Sequence, residues 1–407
     1  VRLRYVVTNK TDANGAQTFS TSSAISGVTD LSILTVTSAE GGSERESIQS
    51  IKLNAPLDYA AQGRAVSTND FKAIVPKVYP NTKSVQVYGG EDNDIPFFGR
   101  VYISIVPTLG SITAAAKSQI VADLKKSFTI ASVTPVIVDP EYTDIRLNVV
   151  FQYNSKNTTK TPETLTSNVR TKIVEYGADN LSKFDGVFRY SQVVGIVDDT
   201  DDAITSNITT VNLSKRVTPI LNKATKYTIP FGNALFNPHD GHMSDTGGIV
   251  SSTGFFISGD TNEMFLNDDG KGNIRMFYLV DGTTTTYKDS TAGTINYKTG
   301  EIILTNVNIT STSSVDGVTS SSFRILVKPD SNDVLGVRNQ VLRLDTSNLT
   351  ISATTDTIAS GSTSAGVGAS ITSSYSGETT STSATSTSSS SSSDVSSSSS
   401  AGSSSGY

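Results

Sequence analysis

The chain has 407 residues and carries 32 Lys+Arg against 38 Asp+Glu, a formal net charge of -6. Hydrophobic residues are 36% and charged residues 17%, both below the ~45–50% and ~25% of an average globular domain; Ser, Thr, Asn and Gly take up the difference and favour turns, strands and linkers. The acidic balance argues against a nucleic-acid binder, and the absence of cysteine removes disulfide frameworks, thiolate zinc sites and cysteine nucleophiles.

At roughly 100–200 residues per domain, this length allows several domains. No apolar run approaches the ~20 residues of a membrane-spanning helix. The opening Val1-Arg2-Leu3-Arg4-Tyr5-Val6-Val7 alternates like the interior of a strand and lacks an initiator Met, so the chain reads as the C-terminal portion of a longer protein.

Residues 1–54 read as a β-rich segment. Leu3, Tyr5 and Val7 alternate, Asn14-Gly15 signals a turn, Leu31–Thr37 is a strand candidate, and Glu46–Pro56 is an alternating run ended by proline. Residues 55–130 read as a first α+β module. Ser67 and Asp70 have capping-box spacing, and Phe71, Ile74 and Val75 give a helix one apolar face before Pro76. Strands follow at Val85–Tyr88 and Val101–Pro107, and then Ile112, Ala116, Ile120, Leu124 and Phe128 repeat four apart as the buried stripe of a helix.

A second α+β module spans 131–218. Strands are expected at Val133–Val138 and Tyr142–Tyr153, and Thr161-Pro162-Glu163 opens a helix with inner face Leu165, Val169, Ile173 and Tyr176, stopped at Gly177. Ser191 caps a shorter helix, and Ile204–Val217 returns as strand. Beyond Pro219 the helical period disappears. Strands at 274–280, 294–304 (a hairpin around Lys298-Thr299-Gly300) and 323–327 predict an all-β sandwich or barrel over 219–350. In 381–407 Ser fills 17 of 27 positions, too little apolar surface to offset ordering entropy, so 351–407 is expected to be a flexible tail. The fold class is therefore α+β and multidomain: small helix-covered sheets, then an all-β domain, then a disordered Ser-rich tail.

Chemistry-bearing motifs are sparse. His239 and His242, with Asp240 and Asp245 beside them, are weak metal candidates, the bland alternative being a polar loop; a metal-dependent hydrolase would have to centre there. Asp198-Asp199-Thr200-Asp201-Asp202 has Ala203 and Thr209 where a helix–loop–helix calcium site needs Gly and Glu, so it reads as a helix end. Asn267–Asn273 reads as a tight turn. Gly402-Ser403-Ser404-Ser405-Gly406 matches the nucleophile-elbow pattern only by composition. No catalytic residue and no cofactor is assigned, and no enzyme is expected.

The run Glu46-Ser47-Ile48, Ile51–Pro56 and Gln62-Gly63-Arg64-Ala65-Val66-Ser67-Thr68-Asn69-Asp70-Phe71 resembles the baseplate J family, the baseplate wedge proteins of contractile-tailed, T-even-like phages. Ser67 stands where the family usually has Thr, and Phe71 where it usually has Tyr. The motif residues are Ala55, Pro56, Gly63, Arg64, Val66, Asp70 and Phe71. As a scaffold, Ala55-Pro56 would end a strand, Gly63 permit a turn, Arg64 clamp a carboxylate or carbonyl, and Val66 enter the core. The resemblance covers about 1–218 well and 219–350 loosely.

It implies a structural virion protein of the tail baseplate, assembled in the bacterial cytoplasm. It would form homodimers within a ring around the tail hub, and that ring would widen as the sheath contracts. Implied partners are itself, other wedge proteins and hub or sheath neighbours, with no nucleic acid and no membrane. The alternative is a secreted or surface β-rich adhesin on a Ser/Thr stalk.

Overall fold

The structure, a computed structural model, describes residues 48–359 except 94, 129–132 and 315–319, and scattered positions from 9 to 45. The strand expected at 3–7, most of that at 31–37, Gly402–Gly406 and the tail from 360 on lie outside the described residues. Asn14-Gly15 is a turn, with Gly15 at φ +83.

The first described element is α1 (Ile48–Ala61), where the alternating run was expected to be strand. After Ile51 the run holds no β-branched residue and is rich in Leu and Ala, and over fourteen residues this helix propensity prevails over the short two-residue alternation. Pro56 sits inside α1 and costs it one backbone hydrogen bond without ending it. α2 (Thr68–Val78) follows and runs two residues beyond Pro76.

Next come β1 (Thr82–Gly89), β2 (Arg100–Pro107), α3 (Ala114–Ser127) and β3 (Thr134–Val138). β1 and β2 are antiparallel, while α3 carries the chain over so that β3 joins β2 in parallel. β3 therefore belongs with the first sheet and not with the module expected from 131. Phe71, Ile74 and Val75 of α2 and Ile120 and Leu124 of α3 pack on Val87, Val101, Ile103 and Ile105, making one small core. The sheet's other face meets the next layer where Val106, Phe184 and Val341 form a separate cluster.

The second layer is built on β4 (Glu141–Tyr153) and β6 (Ile204–Val217), a long antiparallel ladder. Between them run α4 (Pro162–Asn180), β5 (Val187–Phe188) and α5 (Tyr190–Asp198). Leu165, Val169, Ile173, Val193 and Val197 cover the odd-numbered face of β4, from Ile145 to Phe151. Gly177 does not stop α4, and Ser191 is not the cap of α5. That helix starts at Tyr190 with Arg189 as N-cap.

Then come β7 (Ala224–Pro230), β8 (Val250–Ser252), β9 (Phe255–Ile257), β10 (Met264–Asp268), β11 (Asn273–Val280), β12 (Thr284–Asn296) and β13 (Glu301–Thr312). β9 to β13 form an antiparallel meander that closes into a barrel through β13 pairing with β9, with β7 added on β13. The hairpin around Lys298–Gly300 is the β12–β13 turn.

The chain ends with β14 (Phe323–Val327), β15 (Val334–Leu335), β16 (Gln340–Leu344) and β17 (Thr350–Thr355). These return to the second layer. β14 pairs with β6 and with β8, while β16 and β17 lie parallel to successive halves of β4. Hence 219–350 is not a separate all-β domain. It is a barrel inserted into a sheet whose later strands it also supplies, and one hydrophobic core runs from Ile145 to Leu349. Residues 351–355, expected in the tail, are sheet. The open edge of β4 needs only backbone partners, and Thr350-Ile351-Ser352-Ala353-Thr354 has enough β-branching to supply them. At the coarse level the expectation holds: mixed α and β, mostly strands, with a barrel and small helices.

Candidate functional surfaces

The motif segment joins α1 to α2. Gln62 and Gly63 take positive φ, +47 and +72, a reversal glycine makes without strain. Ala65, not Val66, enters the core: Ala65 is fully buried and its N–H donates to the Phe128 carbonyl at 2.8 Å, while Val66 is 53% exposed. Register explains the difference, because Val66 N–H and Ser67 N–H both turn to Asp70 Oδ2, at 3.1 and 2.8 Å. Ser67 Oγ accepts Asp70 N–H in return, closing the capping box. Burial acts to raise the Asp70 carboxyl, but the donors of Ser67 and Val66 outweigh it and hold it below its ordinary value. Phe71 is fully buried. Ala55 and Pro56 lie exposed on α1, and the Arg64 guanidinium is exposed with no ion pair or hydrogen bond among the described residues.

Two apolar surfaces lie outside this segment. On α1, Ile48, Ile51 and Tyr59 form an exposed stripe. Between β1 and β2, Ile95, Phe97 and Phe98 are 71%, 45% and 83% exposed around Pro96. This loop is held in shape. Phe97 N–H donates to the Gly90 carbonyl at 2.9 Å, Arg100 lies over the Phe97 ring at 5.2 Å, and Arg338 donates to the Asp92 carbonyl. A contiguous exposed run of this kind marks a contact surface more often than a free one.

Charge is concentrated on the even-numbered face of β4 and its neighbours. Asp144, almost fully buried, receives Arg343 Nε at 2.7 Å and Arg216 Nε at 3.7 Å. Asp345, equally buried, receives Arg146 and Arg324 at 3.6 and 3.4 Å. Lys215 reaches Glu141 at 3.1 Å; burial lowers its amine from the ordinary value and Glu141 partly restores it.

The other sequence candidates resolve into structural roles. His239 and His242 contact one another, Nε2 to Nδ1 at 3.3 Å, with His242 edge-on to Phe236. Among the described residues no group of three or more metal-ligating side chains stands together. Asp198 accepts from Asn207 at 2.6 Å and Asp201 from Lys160 at 2.6 Å, which holds Asp201 below its ordinary value; α5 ends here.

Residues 269–272 are the turn of the β10–β11 hairpin, whose shoulder carries a residue the sequence did not single out. Asp268 is buried and accepts from Ile249 N–H, Val250 N–H, Gly270 N–H and the Tyr297 hydroxyl, at 2.7, 2.8, 3.2 and 2.6 Å. It thereby fastens the barrel to β8. Burial and this hydrogen bond push the Tyr297 hydroxyl far up.

Residues 67–138 match the family model "Baseplate structural protein gp6, C-terminal domain I", and 141–216 match "Baseplate structural protein gp6, C-terminal domain III". The chain is 24% identical over 223 residues to the baseplate wedge protein gp6 of Enterobacteria phage T4, covering 53% of this chain and 33% of that protein. It thus spans about a third of the length of the curated relative it matches. Among solved structures it is similar to a chain of the anti-feeding prophage baseplate, determined by cryo-EM with six-fold symmetry. The TM-score is 0.30 and the identity 17%, over 42% of this chain and 39% of that one. The two family-model matches and the likeness to the T4 protein are all to baseplate structural proteins.

Proposed function

We propose that this chain forms part of a wedge subunit in a contractile phage tail baseplate, where it pairs with a second copy and with neighbouring wedge proteins in a ring around the tail hub. The ring holds before contraction and rearranges as the sheath shortens. The observation that carries this is the succession of the two domain matches, which take up the first sheet and then the β4–β6 layer in chain order. Membership of the baseplate J family is part of the proposal and rests on Gly63 to Phe71.

The geometry suits a passive scaffold. The first sheet is bound to the second layer by packing and by Phe184 N–H to Ser84 Oγ at 3.1 Å, and the Ile95–Phe98 loop is presented on a fixed base. Closed rings need repeated interfaces of this directional kind. We assign the loop to the contact with an adjacent wedge subunit. The test is localisation: immunogold labelling of purified particles should mark the distal end of the tail, and particles from a deletion of the gene should lack baseplates. Label on the capsid, or intact tails without the chain, would overturn the proposal.

A further inference from the structure

The outer face of the barrel carries an aromatic ladder. Phe265 on β10 stands opposite Phe277 on β11, and Phe277 opposite Tyr287 on β12, with ring centroids 5.7 and 6.1 Å apart. Met264, Leu266, Ile274 and Met276 alternate with the Phe265 and Phe277 rings and fill the interior, so the ladder is turned outward. Barrel closure does not need it.

The segment from Asp245 to Ser252 runs beside this ladder and makes it one side of a cleft of about 460 Å³, within the range of small-ligand sites. That segment is fixed by Asp268, which takes the Ile249 and Val250 N–H groups, and by Arg275 Nη2 donating to the Ser244 carbonyl at 3.1 Å. Gly248 has φ +68, and a Cβ there would lie 2.1 Å from Asp268 Oδ1, so the close approach requires glycine.

Polar groups converge on the same cleft. Arg275 Nε donates to Asn267 Oδ1 at 3.0 Å, and its guanidinium lies over the Tyr287 ring at 4.6 Å. Asn267 Nδ2 in turn donates to the Tyr287 hydroxyl at 3.3 Å. This leaves one amide N–H of Asn267 and the O–H of Tyr287 as donors to a ligand. An apolar occupant would leave such donors without a partner. A pyranose would not, because it has an apolar C–H face to stack on rings and a hydroxyl edge to meet amide and phenol. The geometry points to an oligosaccharide-binding cleft on the barrel, with Phe265, Phe277 and Tyr287 as stacking residues, Asn267 and Tyr287 as hydroxyl-recognising residues, and Arg275 positioning both. The inference stands independently of the assembly role.

The test is a glycan array of pyranose oligosaccharides probed with the full chain, followed by calorimetric titration of the strongest binder. Binding should appear, weaken about tenfold in Tyr287→Ala, survive in part in Tyr287→Phe, and be unchanged in Tyr59→Ala on α1. Thr285→Trp, at the exposed edge of the cleft, should block binding while thermal unfolding stays cooperative, which keeps the test decisive if Tyr287→Ala fails to fold. No binding to any oligosaccharide, or binding that Thr285→Trp leaves intact, overturns the assignment.

Discussion

Asp333 caps α5 from 143 residues away: its Oδ1 accepts the Tyr190 N–H at 2.9 Å and its Oδ2 accepts Arg189 Nη1 at 2.8 Å. The helix has no side-chain cap of its own. The β5–β15 pairing, Val334 with Phe188 and Leu335 with Val187, delivers the carboxylate to that place. The Arg189 hydrogen bond and the Tyr190 N–H hold Asp333 below its ordinary value.

Asp333→Ala should therefore cost about 1 kcal/mol, the usual value of a lost N-cap, read as a lower urea midpoint at neutral pH. A depressed carboxyl contributes stability that is complete above its unfolded-state value and is lost as pH falls through the folded-state one. The gap between wild type and variant should close in acid. An equal gap at neutral and strongly acid pH would show that the carboxylate is not the cap.

Within the motif, Phe71→Ala should cost about 3–5 kcal/mol by emptying the centre of the first core. Val66→Ala, at an exposed position, should stay within about 0.5 kcal/mol of wild type. Denaturant titration of the two variants separates the register found here from one that buries Val66.

Glu141→Gln leaves the Lys215 ammonium buried without its counter-charge. Because half of the Glu141 side chain is in water, the cost should be about 1–3 kcal/mol at neutral pH, less than for a fully buried pair. The Lys215 amine is depressed in the folded state, so the unfolded chain binds more protons between the two values and stability rises with pH across that window. Thermal unfolding at rising alkaline pH should show the deficit of the variant shrinking.

Replacing Ile95 and Phe98 together by Ser should change stability by less than about 0.5 kcal/mol, since both side chains face solvent. Complementation of a deletion phage with this double variant should yield fewer tails carrying the chain. Undiminished incorporation would remove the loop from the proposed contact.

Much of the fold was legible in local pattern. The Ile112–Phe128 stripe, whose Ile120 and Leu124 are the buried residues of α3 while Ile112 and Phe128 lie just outside it, the Ser67–Asp70 box and the β4 alternation are each local in the sequence. What was not legible depended on distant partners. Gly177 looked like a helix stop, yet it lies inside α4, and its lack of a side chain serves packing instead, since a Cβ there would come within 3.0 Å of Leu344 on β16. Ser191 looked like a cap, yet Asp333 does that work. The 218/219 boundary followed a true change of period, but strand pairing crosses it, and no local signal records which earlier strand a later one joins. Asp268 and the aromatic ladder were hidden likewise, since their partners meet only when the barrel closes.

The strand β4 is made early and receives β16 and β17 only from the far end of the chain. During synthesis the segment from α1 to β3 holds all three strands of its sheet and can consolidate while the ribosome is still working. The central layer cannot complete its ladder until Thr355 has emerged, and contacts of such long separation form slowly. A ribosome that stops before residue 340 therefore releases a finished first sheet attached to an unfinished β4 edge, a species that cellular quality control would meet as a sticky intermediate.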